Sequence, residues 1–173
     1  MINTLLILFS LLTTTTTPPK DVYGFAFKTL DGKEVKLSTF KGKKILIVNT
    51  ASKCGYTKQY EDLEKLHKTY GKNVVLIGFP AGNFGGQELA SNAEIAEFCS
   101  SKFATTFLIA EKSSVKGEDI TPLFKYLTTQ TNSDFTGDIK WNFEKFLINE
   151  KGQLEHRFRS GVKPLDQEIV KNF

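Results

Sequence analysis

Hydrophobic and polar positions along this chain fall into blocks whose period switches between two and about 3.6 residues. From Val22 to Leu30 the apolar side chains alternate, Asp31-Gly32 offers a turn, and Glu34 to Leu37 alternates again, which predicts a β-hairpin. Lys44 to Ala51 is a continuous run rich in β-branched residues, suited to a strand buried on both faces. Thr57 to Tyr70 sets Tyr60, Leu63, Leu66, His67 and Tyr70 at helical spacing. Asn73 to Phe79 reads as a second buried strand, followed by a glycine-rich loop from Pro80 to Glu88. Ser91 with Glu94 has the form of a capping box, opening a helix from Asn92 to Lys102 in which Ile95, Phe98 and Cys99 share a face. Thr105 to Ala110 predicts a short strand, and Thr121-Pro122 opens another helix with proline in its first turn. Glu144 to Asn149 and Leu154 to Arg159, joined across Glu150-Lys-Gly152, form a terminal hairpin, and residues 166–173 read as helical.

This order predicts an α/β fold with a central mixed β-sheet flanked by helices and an N-terminal β-hairpin. Right-handed crossovers between the parallel strands bury the sheet. A thioredoxin-like topology satisfies the order. A Rossmann-like one is the rival, but no Gly-x-Gly-x-x-Gly follows a strand. The chain has 173 residues, enough for one domain with a real core, and shows neither internal repeats nor a second domain. The folded domain is expected over residues 20–173. Residues 1–19, "MINTLLILFSLLTTTTTPP", stand apart: no charged side chain, an apolar run from Leu5 to Leu12, then threonines and prolines. The run is too short to span a bilayer. It reads either as a signal-peptide core with a polar spacer, implying an exported or periplasmic protein, or as a disordered tail on a cytoplasmic one.

Composition narrows the chemistry. Charged residues make up 24% and the net charge is +4, with Lys and Arg scattered rather than gathered into a block of the kind that binds nucleic acid. The excess positive charge at most helps to draw in anionic substrates. Two cysteines, Cys54 and Cys99, cannot build a disulfide scaffold. Two histidines, His67 and His156, without Cys-x-x-Cys or His-x-x-x-His, give no readable metal site, and no cofactor is expected.

Cys54 ends a buried strand where a helix begins. In open α/β sheets, reactive groups gather at the carboxyl ends of strands. Free N–H groups and the partial positive charge of a helix N-terminus favour thiolate, which is the nucleophilic form. Thr57 is a candidate helix cap. The competing reading is a small cysteine packed in the core, against which Ser52, Lys53, Gly55 and Thr57 weigh as polar or loop-like neighbours. Dithiol exchange of the Cys-x-x-Cys type is excluded because the residue three on is Thr57. Neither histidine is well placed as a base for a cysteine protease. The peroxiredoxin pattern Pro-x-x-x-Thr-x-x-Cys is absent. A thiolate attacking a weak O–O bond, becoming a sulfenic acid, fits what is left.

Three segments, "NTASKCGYT", "GFPAGNFGGQE" and "KWNFEKFLI", resemble in order and spacing the signatures of the glutathione peroxidase family, and the likeness runs from about Val22 to the C-terminus. The resemblance implies the cysteine form of the family. It also implies a catalytic set of Cys54 as peroxidatic residue with Gln87, Trp141 and Asn142. The amide of Gln87, the indole N–H of Trp141 and the amide of Asn142 can each hydrogen-bond a thiolate or a peroxide oxygen. Donors aimed at developing charge are worth about 3 to 4 kcal/mol each in enzymes generally. The implied reaction reduces hydrogen peroxide and organic or lipid hydroperoxides to water and alcohols, with glutathione or, more in keeping with these residues, thioredoxin as reductant. The alternative is a redox sensor or carrier that peroxide oxidises but that does not turn over.

Cys99 is a candidate resolving cysteine, since related cysteine enzymes often carry one in this helix. It falls one residue early, which turns its side chain by about 100°, and packing on the apolar face is an equal reading. The sequence departs from the family at Ala81-Gly82-Asn83 and at Leu108. The short polar segment from Tyr126 to Ile139 lacks the insertion of tetrameric members, which implies a monomer with an open site.

Overall fold

A computed structural model describes residues 19–173; the apolar segment read as a leader or tail lies outside the described residues. Five strands make the central sheet: β3 (Lys44–Thr50), β4 (Val74–Pro80), β5 (Leu108–Ile109), β6 (Lys145–Ile148) and β7 (Leu154–Phe158), in the order β5-β4-β3-β6-β7. β3, β4 and β5 are parallel, while β6 and β7 join antiparallel. A separate antiparallel hairpin, β1 (Ala26–Lys28) with β2 (Glu34–Lys36), precedes them. This is the expected mixed sheet with thioredoxin-like connectivity.

The unbroken apolar run of β3 has its reason in the sheet. β3 lies between β4 and β6, and every residue from Ile45 to Thr50 is buried. Successive side chains of a strand point to opposite faces. Ile45 and Ile47 join Ile77, Phe79, Phe124 and Phe146 on one side, while Leu46 and Val48 join Tyr60, Leu63, Leu66 and Leu76 on the other. Helices α1 (Gln59–Tyr70) and α2 (Asn92–Phe103) cover the second face, and α3 (Pro122–Thr129) the first. A short helix α4 (Gln167–Val170) adds Ile169 beside α1 and α2.

The capping box of α2 is formed: Glu94 N–H donates to Ser91 Oγ at 3.2 Å, and Ser91 N–H donates to the Glu94 carboxylate at 2.9 Å. Four boundaries differ from the sequence pattern, one being the C-terminal helix, which spans only Gln167–Val170 of the expected residues 166–173. Val22–Gly24 is a 3₁₀ turn, because the Asp21 carboxylate accepts the N–H of Tyr23 at 2.9 Å and caps it; strand pairing starts only at Ala26. The run from Thr105 to Ala110 pairs with β4 only at Leu108 and Ile109, since Thr106 is turned toward α1, its N–H and hydroxyl both given to Glu64. The helix expected from Thr57 begins at Gln59.

Candidate active site

Three segments meet at the carboxyl ends of β3 and β4. The strands stay in register to Thr50 opposite Pro80, and Ala81 N–H then donates to Thr50 C=O at 2.9 Å. The third segment enters just before β6, where Phe143 N–H donates to Asn49 C=O at 2.6 Å. Phe143 sits in the left-handed region, φ +66°, a conformation a bulky residue adopts only when its surroundings hold it there. Its ring is buried edge-on against Tyr60, with centroids 5.7 Å apart, and that packing holds the kink. The kink leaves Asn142 buried and Trp141 outside, 40% exposed, its ring tilted over Phe84 at 5.8 Å.

Cys54 follows β3 by four residues and is half-buried. Here the structure corrects the role of Thr57. Thr57 does not cap α1; its hydroxyl accepts the N–H of Cys54 at 2.9 Å and donates to Ala51 C=O at 2.8 Å. Cys54 itself lies four residues before the Lys58 N-cap of α1, in the turn that precedes the helix. Its sulfur accepts the N–H of Tyr56 at 3.4 Å, and Thr57 N–H returns to Cys54 C=O at 3.0 Å. A chain of such three-residue turns carries the backbone from Cys54 into α1. Sulfur to the N–H two residues on, with the Thr57 hydroxyl closing back to the N–H of Cys54, makes a tight local turn ahead of the helix.

Gln87 and Asn142 are brought together: Asn142 Nδ2 donates to Gln87 Oε1 at 3.1 Å. That bond fixes which end of the Gln87 amide faces away, leaving its NH₂ as the free donor. Asn142 is fully buried, and its Oδ1 has no partner among the described residues. Gly85 and Gly86, both at φ near +64°, form the tight bend that turns Gln87 back toward the cysteine loop. Lys53 N–H donates to Gln87 C=O at 2.9 Å, tying the two loops backbone to backbone. Among the described residues the sulfur's hydrogen bond is to Tyr56 N–H, and neither the Gln87 amide nor the Trp141 indole bonds to it. Of the four sequence-predicted residues, Gln87 and Asn142 are bonded to each other, and Cys54 is tied to them through the backbone bond of Lys53 to Gln87.

Several supporting residues carry no motif signal of their own. Asn49, fully buried, donates through Nδ2 to Trp141 C=O at 3.2 Å and accepts Glu144 N–H at 2.9 Å. A polar residue inside the run "ILIVNT" was the available hint. Glu144 is also fully buried. It accepts from Arg157 Nη2 at 2.9 Å and Nε at 3.1 Å, from Arg159 Nη1 at 2.8 Å and from Lys140 N–H at 2.6 Å. Arg157 also donates to Gly137 C=O at 2.5 Å, and Arg159 lies 3.7 Å over the Phe135 ring. The segment 135–140 leading to Trp141 is thereby held to β7. Arginine partners twelve or more residues away in sequence leave no local pattern.

Cys99 is placed on the inner face of α2, 2% exposed, packed with Tyr60, Ile95 and Phe107. Burial pushes its thiol up to about 11, a shift the Tyr60 hydroxyl beside it only partly offsets. It shares its hydrophobic cluster with Cys54, which packs against that cluster from the rim. The histidines lie elsewhere: His67 Nδ1 is buried without a partner among the described residues, and His156 Nδ1 is 3.2 Å from Asp134 Oδ2.

The chain is similar to proteins already known. Residues 22–128, more than half of the chain, match the family model described as glutathione peroxidase. A glutathione peroxidase-like peroxiredoxin of Chlamydomonas reinhardtii is 46% identical over 145 residues, 83% of this chain and 90% of that one. A hydroperoxy fatty acid reductase of Synechocystis is 43% identical over 150 residues, covering 83% and 89%. The crystal structure of T. cruzi GPX1 superposes with a TM-score of 0.68 at 32% identity, covering 88% of this chain and 93% of that one.

Proposed function

The chain belongs to the glutathione peroxidase family and is a thiol peroxidase reducing hydroperoxides at the expense of a thiol; from that premise we propose that Cys54 is its peroxide-attacking residue, assisted by Gln87, Trp141 and Asn142. The Cys54 thiolate attacks the terminal oxygen of ROOH. An S–O bond forms, the O–O bond breaks, and the alkoxide leaves as ROH after taking a proton. The observation that carries this reading is a partly buried cysteine whose sulfur accepts a backbone N–H at 3.4 Å, on a loop bonded directly to the loop of Gln87. Gln87 presents its free NH₂ to the peroxide because Asn142 holds its oxygen. Trp141, tilted over Phe84 and open to solvent, supplies an indole N–H at the mouth. Such donors act where charge develops on oxygen in the transition state. Asn142 acts on Gln87 and, through its unpartnered Oδ1, accepts from whatever proton donor enters the site.

The sulfenic acid then meets a thiol. A small thiol reaches the half-buried Cys54 directly. Cys99 reaches it only when α2 opens locally, because its sulfur is inside the helix–sheet layer. In that route Cys99 sulfur displaces hydroxide from Cys54, water leaves, and thioredoxin reduces the disulfide formed. The absence of a long insertion between α3 and β6 supports a monomer with an open mouth that admits bulky organic hydroperoxides. Steady-state peroxide reduction with thioredoxin and glutathione in turn tests the scheme. Cys54→Ser is expected to be inactive with both. Cys99→Ser is expected to lose turnover with thioredoxin and keep it with small thiols. Full thioredoxin-driven turnover in Cys99→Ser removes the resolving role, and a single oxidation without turnover in the wild type converts the reading to that of a sensor.

A further inference from the structure

Beside the proposed catalytic residues lies a buried carboxyl that the chemistry above does not use. Glu88 is 5% exposed and has no lysine or arginine within ion-pair distance among the described residues. One of its oxygens, Oε1, accepts two hydrogen bonds, from Ser52 Oγ at 2.5 Å and from Leu89 N–H at 2.7 Å. The other, Oε2, has no partner among the described residues. Ser52 is itself buried, and stands two residues before Cys54; Glu88 follows Gln87 directly. The neighbouring backbone bond, Lys53 N–H to Gln87 C=O at 2.9 Å, runs parallel to the side-chain bond. Two adjacent rungs thus join residues 52 and 53 to residues 88 and 87.

We propose that Glu88 is a positioning residue which, through Ser52, sets the separation between the sulfur of Cys54 and the amide of Gln87. The backbone rung alone is a hinge: one hydrogen bond leaves the cysteine loop free to rotate about it. A second rung one residue further removes that rotation. The side chains that matter project from the two ends of this short ladder. Burying a carboxyl without an ion-pair partner is costly, and burial here raises the Glu88 pKa against the pull of its hydrogen-bond donors and of the more distant Lys112. A serine-to-leucine contact could fill the same space, so the cost points to a geometric duty. Misplacement of reacting groups by about 1 Å lowers rates by about a hundredfold in enzymes generally.

This inference rests on the reading of Cys54 and Gln87 above, and the experiment separates the two. Rates of Cys54 oxidation by hydrogen peroxide and of its reduction by a small thiol are measured separately by stopped flow, for the wild type, Glu88→Ala, Ser52→Ala, the double variant, and Glu88→Gln. Glu88→Gln keeps an oxygen to accept both bonds and replaces only the unpartnered Oε2, so it is expected to oxidise within threefold of wild type. Glu88→Ala and Ser52→Ala are each expected to slow oxidation at least tenfold while leaving the reduction step within twofold. The double variant should be no slower than the slower single one, since both remove the same rung. Oxidation at the wild-type rate in Glu88→Ala overturns the proposal. So do equal losses in both half-reactions, which mark general damage, a multiplicative double variant, or a Glu88→Gln as slow as Glu88→Ala. Cys54→Ser is the control: if it still turns over peroxide, the nucleophile assignment falls, and the inference with it.

Discussion

Cys54 and Cys99 are the same side chain in opposite settings. Cys54 stands at the rim with a backbone N–H on its sulfur; Cys99 lies among Tyr60, Ile95 and Phe107, its thiol raised to about 11 by burial. Thiolate fraction and access govern alkylation. The native reduced protein should therefore take up one equivalent of iodoacetamide rapidly, at Cys54, and the second far more slowly, at Cys99, as peptide mass mapping can read. Trp141 can be tested as cleanly. Trp141→Phe keeps an aromatic ring to lie over Phe84 but removes the indole N–H. Loss of a donor to developing charge typically costs about 100-fold or more, so oxidation of Cys54 should slow by about that factor with little change in melting temperature. An unchanged rate would confine Trp141 to shielding the site.

At the scale of elements, α2 links stability to function. Its capping box of Ser91 and Glu94 satisfies the N-terminal N–H groups of the helix that buries Cys99. Replacing such a cap by alanine costs about 1 kcal/mol. If opening of α2 is what exposes Cys99, Ser91→Ala should speed its slow alkylation in the native protein by about fivefold, leaving Cys54 unaffected. This cap was legible in the sequence because it is made by residues three apart. So were β3 and β4, whose runs are uninterrupted. What escaped notice was contact between distant segments. Ser52 with Glu88, and Glu144 with Arg157 and Arg159, pair across loops that only the folded sheet brings together. The place of Thr57 was misread for a local reason: its hydroxyl serves the turn at Cys54 rather than the helix two residues later.

Over the whole molecule, the sheet serves as a frame, and one buried cation ties its back to the site. Lys145 of β6 is fully buried and donates to Gln59 Oε1 at 2.6 Å and to Val162 C=O at 2.5 Å, joining the sheet to the start of α1 and to the loop after β7. Burial pulls its pKa down to about 7. The unfolded chain, with an ordinary lysine near 10.4, then holds more protons than the folded one between about pH 7 and 10. Stability from this group is accordingly lowest below pH 7 and rises as pH climbs through that window. Urea titrations of wild type and Lys145→Met should show their difference constant below about pH 6 and shifting in favour of the wild type from pH 7 to 9. A difference independent of pH would mean that the ammonium stays charged throughout.

The account depends most on where peroxide oxygen lands. Cys99→Ser protein, reduced and then treated with one equivalent of hydrogen peroxide in the presence of dimedone, should carry one adduct, at Cys54, and Cys54→Ser protein under the same conditions should carry none on Cys99. An adduct on Cys99 forming as fast as that on Cys54, or peroxide consumed with Cys54 left unmodified, would contradict it.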